Sequence, residues 1–374
     1  MAAPRLRVAL DATPLLGVRT GVGHVTARLI DELAQFAQLD VRAYAISWRG
    51  REQLVAALPS PVVAATRRFP ARLTRLAWPR VATPRVEYWT GPVDVVHATN
   101  YVAPPAQAPV LLTVHDLTTE RLPALRAPGS EDTERLVRVA LTRGALIHTF
   151  SDFVAAEVRE HYGLPPARVV RIAPGLAPVV PADPARGRSL AGADRYVLAL
   201  GTVEPRKNLP VLVRAFDRVA ATRPEVALVV AGPGGWGVEA FQSAVDAARH
   251  RDRIHRIGYI EEADRASLLA GATVLAYPSR YEGFGHPPLE AMQVGVPVVA
   301  ADAGALPEVL GDAALLPDPD DVDAVAEALA EVLDDAELRA RLVGRGLERV
   351  QRFSWARAGP EFLATYQELA ASGG

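Results

Sequence analysis

The sequence contains no cysteine. Disulfides, zinc-thiolate sites, iron-sulfur clusters and a cysteine nucleophile are therefore excluded, because each of them needs a thiol or thiolate. No apolar run reaches the roughly 18 residues that a bilayer-spanning helix requires. The apolar stretch after Arg5 and Arg7 is broken by Asp11 and Pro14, too early for the core of a signal peptide, so a cytoplasmic location is expected. No strand pattern leads into Gly-x-Gly-x-x-Gly. The nearest stretch, Gly232-Pro-Gly-Gly-Trp-Gly237, spaces its glycines differently and argues against an NAD-dependent dehydrogenase. Helix-turn-helix patterning and interleaved RNA-binding aromatics are also missing, and no nucleic-acid partner is expected. Lysine is nearly absent too. Lys and Arg together number 41, yet the one lysine is Lys207, in Gly201-Thr-Val-Glu-Pro-Arg-Lys-Asn208. Its compact ammonium concentrates charge where a guanidinium spreads it, which suits a phosphate or a reaction centre.

What is present describes a globular chain. Hydrophobic residues make up 49% and charged residues 22% of 374 residues, a length for two domains. Net charge is −2, but residues 1–180 hold 21 Arg against 15 acids (+6), and the remainder holds 20 cations against 28 acids (−8). Halves of opposite sign meet different ligands or attract one another. Short β-branched runs at Leu6–Leu10, Val41–Ile46, Val93–Val96, Val110–Val114 and Ala145–Phe150 alternate with helical patterns. A second series follows at Tyr196–Leu200, Val226–Val230, Thr273–Tyr277 and Val296–Ala300. Two parallel α/β domains are the consequence, 1–180 and 181–354, with a linker near 174–190. The final helix, 355–374, is expected to pack back on the first domain.

In such sheets ligands sit beyond the carboxyl ends of the strands, so motifs placed there carry most weight. Arg206 and Lys207 overhang the strand ending at Leu200, ahead of a helix that Asn208 is expected to cap. Two adjacent cations can neutralise a diphosphate from two directions. After the strand Thr273–Tyr277 comes Pro278-Ser-Arg-Tyr-Glu-Gly-Phe-Gly-His-Pro-Pro-Leu-Glu290. Gly283 and Gly285 permit a tight turn with backbone N–H donors, and Pro287 or Pro288 fits the first turn of a helix. Glu282 and Glu290 can then grip sugar hydroxyls in one pocket. Two carboxylates also suggest glycoside hydrolysis, but a phosphate clamp has no use there. Asp318-Pro-Asp-Asp321 has the letters of a metal-binding Asp-x-Asp motif, and its setting before a helix reads as a turn and N-cap. No metal and no cofactor are expected.

Glu282-Gly-Phe-Gly-His-Pro-Pro-Leu-Glu290, preceded by Glu204-Pro-Arg-Lys-Asn208, resembles the donor-binding half of family 4 GT-B glycosyltransferases. The likeness extends to Gly295-Val-Pro-Val-Val299, Ala305-Leu-Pro-Glu308, Gly311-Asp-Ala-Ala-Leu315 and Phe353-Ser-Trp355. In the first half, Arg19-Thr-Gly-Val-Gly-His24, His97-Ala-Thr-Asn100, Thr113-Val-His-Asp116 and Phe150-Ser-Asp152 resemble the same family.

The resemblance implies a GT-B fold, two doubly wound Rossmann-like domains facing across a cleft, and a nucleotide-sugar donor held mainly by the second domain. It assigns Arg206 and Lys207 to the diphosphate, Glu282 with the N–H groups of Gly283, Phe284 and Gly285 to the sugar hydroxyls, and Glu290 to the ribose diol. The base would lie near Tyr259 and Ile260. From the first domain His115 would reach the donor sugar, and Gly21, Val22 and Gly23 would approach the phosphates or the acceptor. Retention at the anomeric carbon is implied, with a phosphate oxygen assisting deprotonation of the acceptor. Likeness to bacterial mannosyltransferases of polysaccharide or glycolipid synthesis points to mannose from GDP-mannose and to a glycan or lipid-linked acceptor. A sugar-nucleotide epimerase and a non-catalytic nucleotide-sugar-binding protein share the same clamp. His286 after the Gly-Phe-Gly turn and Ala173-Pro-Gly175 at the linker depart from the family pattern. The stretch Arg67–Arg80 interleaves arginines with Phe69, Leu73, Leu76 and Trp78. It reads either as a contact with an anionic membrane or as a solvated face over ordinary core contacts.

Overall fold

A computed structural model describes residues 5–17, 21–47, 50–65, 67, 77–178 and 180–373. Most of the basic stretch 67–80, and Arg19 and Thr20 of the first glycine motif, lie outside the described residues. The chain forms two compact units. One comprises residues 1–121, 128–175 and 353–374, and the other comprises 122–127 and 176–352.

The N-terminal unit is built on strands β1 (Leu6–Asp11), β2 (Leu39–Tyr44), β3 (Val63–Ala65), β4 (Val95–Ala98), β5 (Val110–Thr113), β6 (Leu146–Thr149) and β7 (Val169–Arg171). They form a sheet of order β3-β2-β1-β4-β5-β6-β7, with every pairing parallel. Parallel strands need helical crossovers, which cover both faces, so β1 is apolar on both sides. Val8 and Leu10 pack with Ile30, Leu33 and Phe362, while Ala9 packs with Tyr44, Trp89 and Val96 on the other face.

The helix Trp355–Ser372 belongs to this unit and packs against the helix Gly21–Leu33. Its Tyr366 is fully buried and opens a polar seam through the core. The last acceptor of the seam, the carbonyl of Ile172, lies 3.1 Å from His148 Nε2, so that nitrogen must carry the proton. His148 Nδ1 therefore accepts from Thr113 Oγ1 at 2.9 Å, and Thr113 in turn accepts from His97 Nε2 at 2.9 Å. His97 Nδ1 is left to accept from the Tyr366 hydroxyl at 2.7 Å. Burial drives His148 down to about 3 and His97 well below the ordinary imidazole range, so both rings are neutral.

The C-terminal unit carries β8 (Arg195–Leu200), β9 (Val226–Ala231), β10 (Ile254–Gly258), β11 (Val274–Tyr277) and β12 (Val298–Ala300), in the parallel order β10-β9-β8-β11-β12. Val197, Phe216, Leu228, Val274 and Leu329 form its core with the helices that flank the sheet. Interior strand β9 is buried at every residue, as its unbroken apolar sequence requires.

Three strands escape the apolar-run reading: β3, β7 and β10. All three are sheet edges with partly exposed residues, so their sequences need no continuous apolar run. Asn208 does not cap the following helix through its side chain, contrary to expectation. It adopts φ +55° and its amide donates to the carbonyl of Pro319 at 2.6 Å, fastening two loops instead. Asp321 does act as an N-cap, accepting from Asp323 N at 2.8 Å and Ala324 N at 3.1 Å.

Candidate functional site

The sheet order explains why residues 75 positions apart meet. Strands β8 and β11 are neighbours and parallel, so the loops leaving their carboxyl ends emerge side by side. The first loop carries Arg206 and Lys207 on a single 3-10 turn, Pro205–Lys207. The second carries Glu282. A backbone bond from Arg280 N to Arg206 O, 2.9 Å, ties the two together.

Glu282 is the hub. Its Oε1 lies 2.6 Å from Lys207 Nζ and its Oε2 lies 2.8 Å from Arg206 Nη1. Arg206 also donates through Nη2 to Glu204 Oε1 at 2.7 Å and through Nη1 to the carbonyl of Tyr281 at 2.9 Å. Lys207 donates further to the Tyr277 hydroxyl and sits 4.4 Å from the centre of that ring. The four charged side chains are between 8% and 17% exposed. Two cations and two carboxylates thus share one largely desolvated cluster, where unpaired charge would be costly. Burial pushes the Glu282 carboxyl up, but Arg206 and Lys207 outweigh it and bring the group to about 2. Burial lowers the Lys207 ammonium, Glu282 raises it and Arg206 lowers it again, leaving it below its ordinary value.

The backbone of Glu282 is braced from the turn that follows β12. Ala305 N donates to Glu282 O at 2.9 Å, and Gly304 at φ +60° passes so close that an added Cβ would stand 2.6 Å from Glu282 O and 2.7 Å from its N. Beyond Glu282 the chain turns through Gly283 and Phe284 to Gly285, at φ +99°, and enters the helix His286–Gln293 with proline in its first turn. Glu290 lies on this helix. Its Oε2 accepts two bonds from Arg265, at 2.8 Å from Nε and 2.5 Å from Nη2. The structure therefore gives the two glutamates separate cationic partners. Arg265 was not legible in the sequence, because it comes from a different helix, Glu262–Gly271, 25 positions away. Tyr259 and Ile260 follow edge strand β10, with Tyr259 52% exposed.

In the N-terminal unit, His115 follows β5. Its Nε2 lies 2.8 Å from the carbonyl of Thr99, so that nitrogen holds the proton. Burial lowers the imidazole, and the ring is neutral with Nδ1 unprotonated. Gly21, Val22 and Gly23 open the helix Gly21–Leu33. A Cβ on Gly21 would meet nothing within 4 Å, so the protein's own packing does not demand glycine there. Among the described residues no group of three or more His, Asp or Glu could hold a metal ion, and no helix is long and apolar enough to cross a membrane.

Two parallel α/β units, of seven and five strands, have the fold of the GT-B class. Residues 185–349 match the model for glycosyl transferases group 1, and residues 19–178 match that for Glycosyltransferase Family 4. The chain is 32% identical over 283 residues to the O-antigen chain mannosyltransferase B of Escherichia coli, covering 74% of each chain. It is 30% identical over 343 residues to the phosphatidyl-myo-inositol mannosyltransferase of Mycolicibacterium smegmatis, covering 84% of this chain and 83% of the relative. The solved structure of Anabaena HepE in complex with UDP and glucose superposes with a TM-score of 0.73 at 16% identity, over 97% of this chain and 100% of that one. The chain belongs to glycosyltransferase family 4.

Proposed function

We propose that this glycosyltransferase moves mannose from GDP-mannose to a glycan or lipid-linked acceptor with retention at the anomeric carbon. The observation that carries the donor site is the buried cluster of Arg206, Lys207 and Glu282 at the carboxyl ends of adjacent strands. Mannosyltransferases among the relatives support the choice of sugar. In the resting cluster the cations are neutralised by Glu204 and Glu282. Donor binding exchanges partners: diphosphate oxygens take over Arg206 and Lys207, and the released Glu282 carboxylate turns to the sugar hydroxyls, beside the N–H groups of Gly283, Phe284 and Gly285.

As the glycosidic bond breaks, charge grows on the leaving diphosphate, where the two cations stand. Each well-placed donor of this kind contributes a factor of about 10² to 10³. The acceptor oxygen attacks from the same face, and its proton passes to a diphosphate oxygen. Glu290, steadied by Arg265 on Oε2, keeps Oε1 for the ribose diol. His115 is assigned to the donor sugar, Gly21 to Gly23 to the phosphates or acceptor, and Tyr259 and Ile260 to the base.

A screen of nucleotide sugars for binding, followed by product analysis with and without mannan-type acceptors, tests this reading. GDP-mannose should bind, mannose should appear on an acceptor, and Glu290→Ala should weaken binding about tenfold. A new sugar nucleotide formed from donor alone would make the protein an epimerase, and undiminished affinity in Glu290→Ala would remove that residue from the site.

A further inference from the structure

Among the described residues only two that are not glycine adopt a positive φ: Asn208 at +55° and Tyr101 at +54°. Left-handed backbone is costly for a residue with a Cβ, above all for a bulky one, and persists only where the surroundings impose it. Asn208 directly follows Lys207. Tyr101 sits beyond β4, opposite the loop that carries His115, so the two outliers adjoin the two candidate ligand-facing loops.

Tyr101 grips that loop from several sides. Its backbone N donates to Thr113 O at 3.1 Å, extending the β4–β5 pairing past the end of the strands. Its hydroxyl accepts from Asp116 N at 3.0 Å, which leaves the hydroxyl proton for Asp116 O at 3.2 Å or Oδ1 at 3.3 Å. Asp116 Oδ1 in turn accepts from Thr118 N at 3.0 Å and so starts the short helix Thr118–Arg121. His115 lies between the two gripped residues, Thr113 and Asp116. Its ring meets the Tyr101 ring edge-on, centroids 5.5 Å apart at 63°, and the Phe150 ring also packs against it, 5.2 Å away. The same segment supplies the carbonyl of Thr99 that accepts from His115 Nε2, and Thr99 is itself anchored to Asp11 O at 2.8 Å. An extended backbone at residue 101 would carry the phenol away from Asp116. The left-handed turn brings it back.

We propose that Tyr101 is a positioning residue for His115: its left-handed backbone and its hydroxyl hold the 113–116 loop so that the imidazole keeps one orientation and one tautomer, with Nδ1 left for the ligand. The proposal rests on the reading of His115 as a donor-site residue. Tyr101→Phe removes the hydroxyl while keeping the ring, and Tyr101→Asn serves if the first variant fails to fold, since asparagine tolerates the left-handed region.

Two readouts on the full-length protein test it. Nitrogen-proton correlation spectra of the histidine rings, with His115 assigned by His115→Ala, should show a single Nε2-protonated form in the wild type and a mixture of tautomers in Tyr101→Phe. Turnover of GDP-mannose should fall about tenfold in Tyr101→Phe, with no further fall when the change is added to His115→Ala, because a residue acting through another contributes nothing once that other is gone. Unchanged His115 signals, or a full extra loss in the double variant, overturn the positioning role. Full turnover in His115→Ala removes His115 from the reaction and the proposal with it, an outcome distinct from unchanged ring signals.

Discussion

Glu282 holds Lys207 at 2.6 Å and Arg206 at 2.8 Å, and so stands where a diphosphate is proposed to bind. If it is the resting counter-ion of the clamp, removing its charge has opposite effects on product binding and on catalysis. Glu282→Gln should raise the affinity for a nucleoside diphosphate about tenfold, roughly 1.4 kcal/mol, as measured by calorimetry. Turnover should fall by about 10² to 10³. A loss of both would mean that Glu282 supports the cations instead of competing for them. The same change tests the electrostatics. A carboxyl held at about 2 in the folded chain, against an ordinary 4.5, contributes stability that is present above about 4.5 and is lost as pH falls towards 2. Thermal unfolding followed across that window should show the loss in wild type and lack that component in Glu282→Gln. Arg206, Lys207 and Glu282 were legible in the sequence, since Lys207 is the one lysine and the Glu282–Glu290 spacing is specific, whereas Glu204 and Tyr277 had no role that the sequence could assign. Their mutual pairing was not legible, because it depends on which strands are neighbours.

Elements were legible in proportion to how completely they are buried. β9 is buried throughout and its sequence, Val226–Ala231, is apolar throughout. β7 ends in an exposed Arg171 and β10 carries an exposed Arg256, so neither has the periodicity of a core strand. The turn after β12, residues 301–304, has no signal of its own in the sequence, yet it braces the backbone of Glu282. Gly304 is the point of closest approach, and a methyl group there would press on the Glu282 backbone at 2.6 Å. Gly304→Ala combines that clash with an unfavourable φ of +60°. It should cost about 1–3 kcal/mol in denaturant unfolding and lower turnover beyond what the loss of folded protein accounts for. Equal stability and equal turnover would show that the loop can shift without consequence for Glu282.

On the scale of the whole molecule, sequence patterning separated two parallel α/β series, and their sheets of seven and five strands are those of the GT-B class. What patterning could not supply was contact made across sequence distance. Arg265 on Glu290, Tyr101 on Asp116 and Tyr366 on His97 each join residues from different elements with no local signal. The charge asymmetry of +6 and −8 is likewise a property of whole halves, and the one lysine, Lys207, lies in the acidic half. Lys207 fits a space bounded by Tyr277, Glu282 and Gly201, where a Cβ on the glycine would lie 3.4 Å from Lys207 Cε. A planar guanidinium has neither the shape nor the compact charge for that space. The most direct test is therefore the binding and turnover of GDP-mannose by the wild type and by Lys207→Arg. The wild type should bind and turn over the donor, and the variant, with its charge intact, should lose turnover by about 10² or more. A wild type that binds no nucleotide sugar, or a Lys207→Arg variant as active as the wild type, would contradict that expectation.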